Sequence, residues 1–108
     1  MRIYLNDLKP DLEISLFNDS SRQDPMDLSS ATAVTVIGKQ YSPVLDADAV
    51  LFSRVVTGDN TGVINMPWVT GDTAVPGDIV VEVEITWPDN KRQTVRPASR
   101  VYVIADLA

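Results

Sequence analysis

The sequence predicts an all-β domain, and three observations lead to that prediction. Residues 78–87 alternate strictly, with Ile79, Val81, Val83, Ile85 and Trp87 on one side of the chain. A period of two is typical of a half-buried strand. Val, Ile and Thr supply thirty of the 108 residues, and Asp outnumbers Glu by twelve to three, which favours strands joined by turns. No window of about 11 residues carries a helical stripe.

Short candidate strands follow one another along the whole chain. They cover residues 2–5, 12–17, 32–37, 49–56, 63–66, 78–87, 92–96 and 100–104. Residues 59–62 and 88–91 are predicted hairpin turns, and residues 38–48 are predicted irregular, with Pro43 as a breaker. About seven or eight strands with frequent turns predict a single antiparallel β-sandwich domain over residues 1–108.

The apolar faces of these strands predict the core. Ten residues form it: Leu12, Ile14, Leu16, Val34, Val36, Ile79, Val81, Val83, Ile85 and Val101. The opposite side of the 78–87 strand carries Glu82 and Glu84, which we interpret as an exposed polar face. Both point the same way, so they do not predict the two carboxyls that flank a glycosidic bond.

Composition excludes most catalytic chemistry that can be read from sequence. The chain has no Cys and no His, which removes disulfides, thiolate nucleophiles, His-based triads and the usual zinc ligands. Asp46 with Asp48, or Asp24 with Asp27, could be imagined as calcium ligands, but the chain has no helix–loop–helix calcium motif, so solvated turns are the simpler interpretation. We therefore predict no catalytic residues, no metal and no cofactor.

Charge and hydropathy limit the classes of partner that the chain is expected to bind. A net charge of −6 argues against binding nucleic acid phosphates or an anionic membrane surface. No apolar run reaches the roughly 18 residues that would span a bilayer, and the first residues lack a signal-peptide pattern. We expect a protein made in the cytoplasm.

Six residues are candidates for contacts with another protein. Four of the nine cations, Lys91, Arg92, Arg96 and Arg100, fall within ten residues. They predict either a docking face for an acidic neighbour or solubilising charges on an edge strand. Trp68 could stack on a sugar or pack in the core. Asp72 could be catalytic or contact a partner, but the simpler interpretation is that its carboxylate accepts backbone N–H groups of its own loop.

Three segments, taken in order, resemble the immunoglobulin-like N-terminal domain of phage baseplate upper proteins and related small phage tail proteins. Residues 26–31, Met-Asp-Leu-Ser-Ser-Ala, are similar to the segment that leads into a strand in that family. Trp68-x-x-Gly71-Asp72-Thr73, followed by Pro76-Gly77, resembles a loop before an alternating strand. Residues 86–97, Thr-Trp-Pro-Asp-Asn-Lys-Arg-Gln-Thr-Val-Arg-Pro, resemble that family's hairpin and returning strand, with Asn90 where the family usually has Gly.

This resemblance implies an immunoglobulin-like sandwich and a non-catalytic virion protein. The expected partners are other capsid, tail or baseplate subunits, bound in a symmetric homo-oligomer or a lattice. A tail or baseplate component and a capsid decoration or neck protein are both open. A carbohydrate-binding or host-adhesion module is the alternative. An enzyme domain is a third hypothesis, which the absence of His and Cys disfavours.

Overall fold

The computed structural model describes residues 1–44 and 46–105. Within them the chain forms seven strands and no helix. These are β1 (Arg2–Tyr4), β2 (Leu12–Ser15), β3 (Ala33–Ser42), β4 (Ala47–Val56), β5 (Val63–Met66), β6 (Gly77–Thr86) and β7 (Arg92–Ile104). The predicted all-β class is confirmed.

The strands form two sheets of unequal size. The large sheet has five strands in the order β1-β7-β6-β3-β4, and the small sheet pairs β2 with β5. Every pairing is antiparallel except that of β1 with β7. Buried side chains from both sheets share one hydrophobic core, so the small sheet covers the inner face of the large sheet.

The core contains all ten residues that the alternating patterns predicted, each no more than 3% exposed. This confirms the facing of β2, β3, β6 and the end of β7. Eight further apolar residues join them: Ile3, Met26, Leu28, Phe52, Ile64, Met66, Trp68 and Val103. They come mainly from short strands and loops, where alternation is too brief to show which side faces inward.

The segment predicted to be irregular, residues 38–48, mostly belongs to strands β3 and β4. Gly38 does not break β3, because it makes room for a neighbouring ring: a Cβ built there would lie 2.3 Å from the ring of Phe52. Gly38 pairs with Phe52 across the β3–β4 ladder, so the missing side chain permits close packing. Pro43 does mark the turn, and Leu45 lies outside the described residues.

The prediction of a hairpin at residues 59–62 is wrong. The strands on either side, β4 and β5, belong to different sheets, so this segment carries the chain across the core. Asp59 still makes the local turn that its sequence suggests, since its carboxylate accepts the backbone N–H of Thr61 at 2.9 Å. Turn chemistry alone does not decide whether the flanking strands pair.

The prediction of two separate strands at the C-terminal end is also wrong, because β7 runs unbroken through Pro97. The ladder to β6 pairs Val95 with Val83 and Ser99 with Val81. Three residues of β7, from Arg96 to Ala98, therefore lie opposite Glu82 alone. A bulge of this kind absorbs a proline without ending the strand, and it sets the position of Arg96.

The second predicted hairpin, after β6, is confirmed. The N–H of Trp87 donates to the carbonyl of Lys91 at 2.9 Å, and the N–H of Asn90 donates to the carbonyl of Trp87 at 2.9 Å. Asn90 has a φ of 62°, the left-handed conformation that asparagine tolerates better than most residues. This explains how Asn90 replaces the glycine common at such a position.

Candidate interaction surface

The outer face of the large sheet is the broadest surface that carries predicted contact residues. It lies opposite the core, and the alternation of β6 places Asp78, Val80, Glu82, Glu84 and Thr86 on it. The register of β7 and β3 adds charged neighbours on the same side. This face therefore collects most of the chain's cations together with four of its carboxylates, since Asp48 of β4 pairs with Tyr41 on the same side.

Glu82 lies near the centre of this face and is buried, so its predicted exposure is wrong. Its side chain is 7% exposed and bonded on both sides, with Lys39 Nζ at 3.2 Å from Oε2 and Arg96 Nε at 2.6 Å from Oε1. The β7 bulge brings Arg96 over the carboxylate. Two cations compensate the loss of water around one anion, which explains how a glutamate occupies a central strand.

The predicted basic cluster is largely paired within the chain. Arg92 Nε lies 3.0 Å from Glu84 Oε1, and Lys91 Nζ lies 3.8 Å from Asp89 Oδ2. Arg100 is exposed and has no ion pair among residues 1–44 and 46–105. Of the four predicted cations, Arg100 thus presents the least compensated charge to solvent.

Arg100 belongs to a group that sequence reasoning missed. We define the tyrosine–arginine patch as Arg2, Tyr4, Arg100 and Tyr102. The parallel pairing places Arg2 beside Tyr102, while Val80 and Asp78 lie beside Arg100 and Tyr102. Tyr4 is 58% exposed and Tyr102 46%. In the sequence, the two members of the patch on each terminal strand are separated by one residue, as expected for side chains on the same face. Only the pairing of β1 with β7 brings the four residues together in one surface.

Trp68 lies in the core, at 5% exposure. Its Nε1–H donates to the carbonyl of Pro10 at 2.9 Å, and its ring meets that of Phe52 edge-on with centroids 5.7 Å apart. The burial and the satisfied N–H match the core interpretation of this residue. No open ring face is left for stacking on a sugar.

Asp72 is buried and forms the strongest polar contact between β4 and the loop before β6. Its Oδ2 accepts Arg54 Nη1 at 2.7 Å and its Oδ1 accepts Arg54 Nη2 at 3.1 Å. Oδ2 also accepts the N–H of Val69 at 2.9 Å, which confirms the predicted cap within the loop. The hydrogen bonds to Asp72 raise the pKa of Arg54 above its ordinary value.

Arg54 was missed because nothing in its own strand marks it as a partner of Asp72. Thr73 completes the same arrangement, since its hydroxyl donates to the carbonyl of Asp7 at 3.0 Å and its carbonyl accepts the N–H of Asn6. The 68–73 motif thus fastens the β5–β6 loop to β4 and to the N-terminal turn. The side chains of Trp68, Asp72 and Thr73 all make contacts within the domain. A role for Trp68 or Asp72 in binding a partner stays a prediction.

The aspartates considered as calcium ligands make local contacts. Within the described part of the chain no group of three or more Asp and Glu side chains is arranged to hold a metal ion. Asp27 accepts the Ser29 hydroxyl and N–H, which lower its pKa. Asp46 accepts the Tyr41 hydroxyl at 2.5 Å. These contacts suit turns that need no ion.

Metal removal is therefore expected to have no effect on stability. Excess EDTA should leave the melting temperature of the purified domain unchanged, as measured by circular dichroism. Calcium-saturated EDTA at the same ionic strength is the control for salt effects. A fall of more than about 4 °C, which corresponds to roughly 1 kcal/mol for a domain of this size, would contradict the expectation and restore a bound-ion role for the aspartates.

Comparison of the chain with protein-family models, with curated proteins and with solved structures finds no match. Among residues 1–44 and 46–105, no helix is long and apolar enough to cross a bilayer.

Proposed function

We propose that this chain is a non-catalytic structural protein of a phage virion, with an immunoglobulin-like fold, that binds neighbouring virion subunits through the outer face of its large sheet. The proposal covers a tail or baseplate component and a capsid decoration or neck protein alike. The subunits would be held together by packing and by charge complementarity, without a covalent step.

The strand order supports the immunoglobulin-like part. Taking β2, β3, β4, β5, β6 and β7 as B, C, C′, E, F and G, the large sheet contains the order G-F-C-C′. This is the order of the immunoglobulin variable-type sheet, and the pairing of β2 with β5 matches its B–E pair. The domain lacks the disulfide of antibody domains, since it has no cysteine.

The observation that carries the phage assignment is the place of the three resembling segments. Residues 26–31 lead into β3, residues 68–77 lead into β6, and residues 86–97 form the β6–β7 hairpin and the first part of β7. Each segment leads into a strand or forms the turn between two strands, which supports the resemblance. All three surround the central strands of one sheet, which favours a shared fold over chance matches.

The open face supports assembly as the function. The small sheet covers the inner face of the large sheet, and the outer face exposes Tyr4, Tyr102 and Arg100. Tyrosine and arginine are enriched in the centres of protein interfaces. A surface of this composition suits repeated contacts in a symmetric particle.

The test is occupancy in particles. Virions purified from the phage or induced prophage that carries this sequence should contain the chain at a fixed ratio to the major capsid or tail protein, as measured by quantitative mass spectrometry. Arg100→Glu should lower that ratio, because charge reversal at a contact slows association and weakens binding. Arg22→Glu, the same charge change in an exposed loop, is the matched control.

Arg96→Glu is a poor probe, although Arg96, like Arg92, is among the contact residues predicted from the sequence. It would place a second carboxylate beside buried Glu82, so folding and binding would change together. Absence of the wild-type chain from virions, despite abundant expression in the infected cell, would overturn the proposed function.

A carbohydrate-binding or adhesion module is the second candidate. The observation that favours it is the exposure of Tyr4 and Tyr102 on one sheet face, since exposed aromatic rings can stack on sugars. A gel-shift assay with soluble host glycans tests it. A glycan-dependent shift that Tyr102→Ala abolishes would favour this candidate.

A further inference from the structure

The two broad sides of the domain differ in charge. On the outer face of β1, β7, β6 and the adjoining part of β3, five cations accompany three carboxylates: Arg2, Lys39, Arg92, Arg96 and Arg100 with Asp78, Glu82 and Glu84. This region is net positive in a chain whose net charge is −6. The remaining surface is correspondingly acidic.

The negative charge gathers around the small sheet. We define the acidic side as Asp11, Glu13, Asp24, Asp27 and Asp59. Glu13 is exposed on the outer face of the small sheet, opposite Asn65, while Leu12 and Ile14 face the core. Asp27 and Asp59 lie in adjacent turns, since Leu28 donates its N–H to the carbonyl of Asp59.

Most of these carboxylates have no cation paired with them. Lys9 pairs with Asp11 at 3.1 Å, and the other four have no ion pair in the residues that the structure describes. The hydroxyls of Ser29 and Thr61 lower the pKa values of Asp27 and Asp59. The geometry of these two turns therefore favours the charged form of Asp27 and Asp59.

We propose that the tyrosine–arginine patch of one copy binds the acidic side of a second copy of this chain, head to tail. The inference rests on the proposed structural role and names the partner of the open face. Charge complementarity steers the encounter, and the two tyrosines supply apolar contact that is not screened by salt.

The geometry makes the contact heterologous. The patch lies on the outer face of the large sheet and Glu13 on the outer face of the small sheet, so one copy can use both at once. Such contacts close into rings or extend into filaments. The domain measures 46 × 29 × 26 Å, so its long faces can supply the roughly 800 Å² per partner that specific interfaces use.

Three variants test the contact by sedimentation velocity. Arg2→Glu/Arg100→Glu reverses the charge of the patch, and Asp11→Lys/Glu13→Lys reverses two of the five charges on the acidic side. Arg22→Glu/Lys91→Glu is a control with the same charge change as the first. The substituted residues lie at or near the surface, and circular dichroism checks that each variant is folded. Wild-type protein up to about 1 mM is compared with each.

We expect the wild type to self-associate, and the midpoint concentration to rise roughly tenfold between about 0.05 M and 0.5 M NaCl. Each reversed variant alone should stay monomeric, whereas an equimolar mixture of the two should associate again. The control should associate at least as well as the wild type. Tyr102→Ala should raise the midpoint by about tenfold or more at both salt concentrations.

A monomeric wild type would overturn this inference, and stoichiometric occupancy in virions would then leave the proposed function standing. Conversely, self-association of a chain that is absent from virions would support the head-to-tail contact and overturn the virion role. Continued association of the Asp11→Lys/Glu13→Lys variant alone would overturn the head-to-tail geometry in favour of a patch-to-patch dimer.

Discussion

Val83→Asp is expected to leave the domain unfolded at 25 °C. Val83 is 0% exposed and lies on the inner face of β6, between Val36 of β3 and Val95 of β7. A carboxylate there loses its water and gains no free cation, because its cross-strand neighbours are apolar and Arg54, the next residue in the same row, is already paired with Asp72. The cost is several kcal/mol for an unpaired buried charge, set against a total stability of about 5–15 kcal/mol for typical domains.

Protonation does not rescue this variant. A neutral carboxyl must still find hydrogen-bond partners, and the replaced valine forfeits roughly 1.5–3 kcal/mol of apolar burial. Val55→Asp is the matched control, since Val55 lies on the outer face of the edge strand β4 and is 69% exposed. It should change stability by no more than about 0.5 kcal/mol.

Circular dichroism spectra and thermal melts check both variants. Loss of the β signal and of the cooperative transition is expected for Val83→Asp alone. A native spectrum with a melting temperature within about 4 °C of the wild type would mean that the inner face of β6 is assigned to the wrong side.

The sequence was most informative where one strand is long and faces two environments. In β6 the alternation of Ile79, Val81, Val83 and Ile85 predicted the buried side correctly, because a period of two has only two possible facings. Short strands such as β1 gave no such certainty. Its place beside β7, and therefore the tyrosine–arginine patch, depends on a parallel pairing of residues about a hundred positions apart.

Long-range polar pairing was the main source of error. Glu82 looks solvent-exposed in its own strand, and only the approach of Lys39 from β3 and Arg96 from the β7 bulge makes its burial tolerable. No local pattern encodes either contact. Pro97 is a second example. Its local sequence predicts the end of a strand, but it lies within the β7 bulge, where it has no partner in the β6–β7 ladder.

The contact between Arg54 and Asp72 should show a marked asymmetry when either partner is removed. The Asp72 side chain is 7% exposed and that of Arg54 28%, so removing the arginine leaves the more buried charge behind. Arg54→Met should cost about 3 kcal/mol and Asp72→Asn about 2 kcal/mol, values at or below the usual range for breaking a buried pair because water still reaches Arg54. Met retains the apolar stem, and Asn retains an acceptor for the N–H of Val69.

The double variant Arg54→Met/Asp72→Asn should cost at least about 1 kcal/mol less than the sum of the two single variants, because neither charge is then left without its partner. Urea denaturation measures all three free energies of unfolding. Lys91→Met is the control: its pair with Asp89 is exposed, so the loss should stay below about 1 kcal/mol.

The buried pair of Arg54 with Asp72 and the exposed pair of Lys91 with Asp89 should also differ in their dependence on salt concentration. The exposed pair weakens as ionic strength rises, whereas a buried pair is screened much less, so the Arg54→Met cost should persist in 0.5 M NaCl. Additive single-variant costs, or an Asp72→Asn cost above that of Arg54→Met, would contradict the assignment. The first result would mean that the pair contributes nothing beyond its separate hydrogen bonds. The second would mean that the negative charge of Asp72 stabilises the loop before β6 by more than its pairing with Arg54 provides.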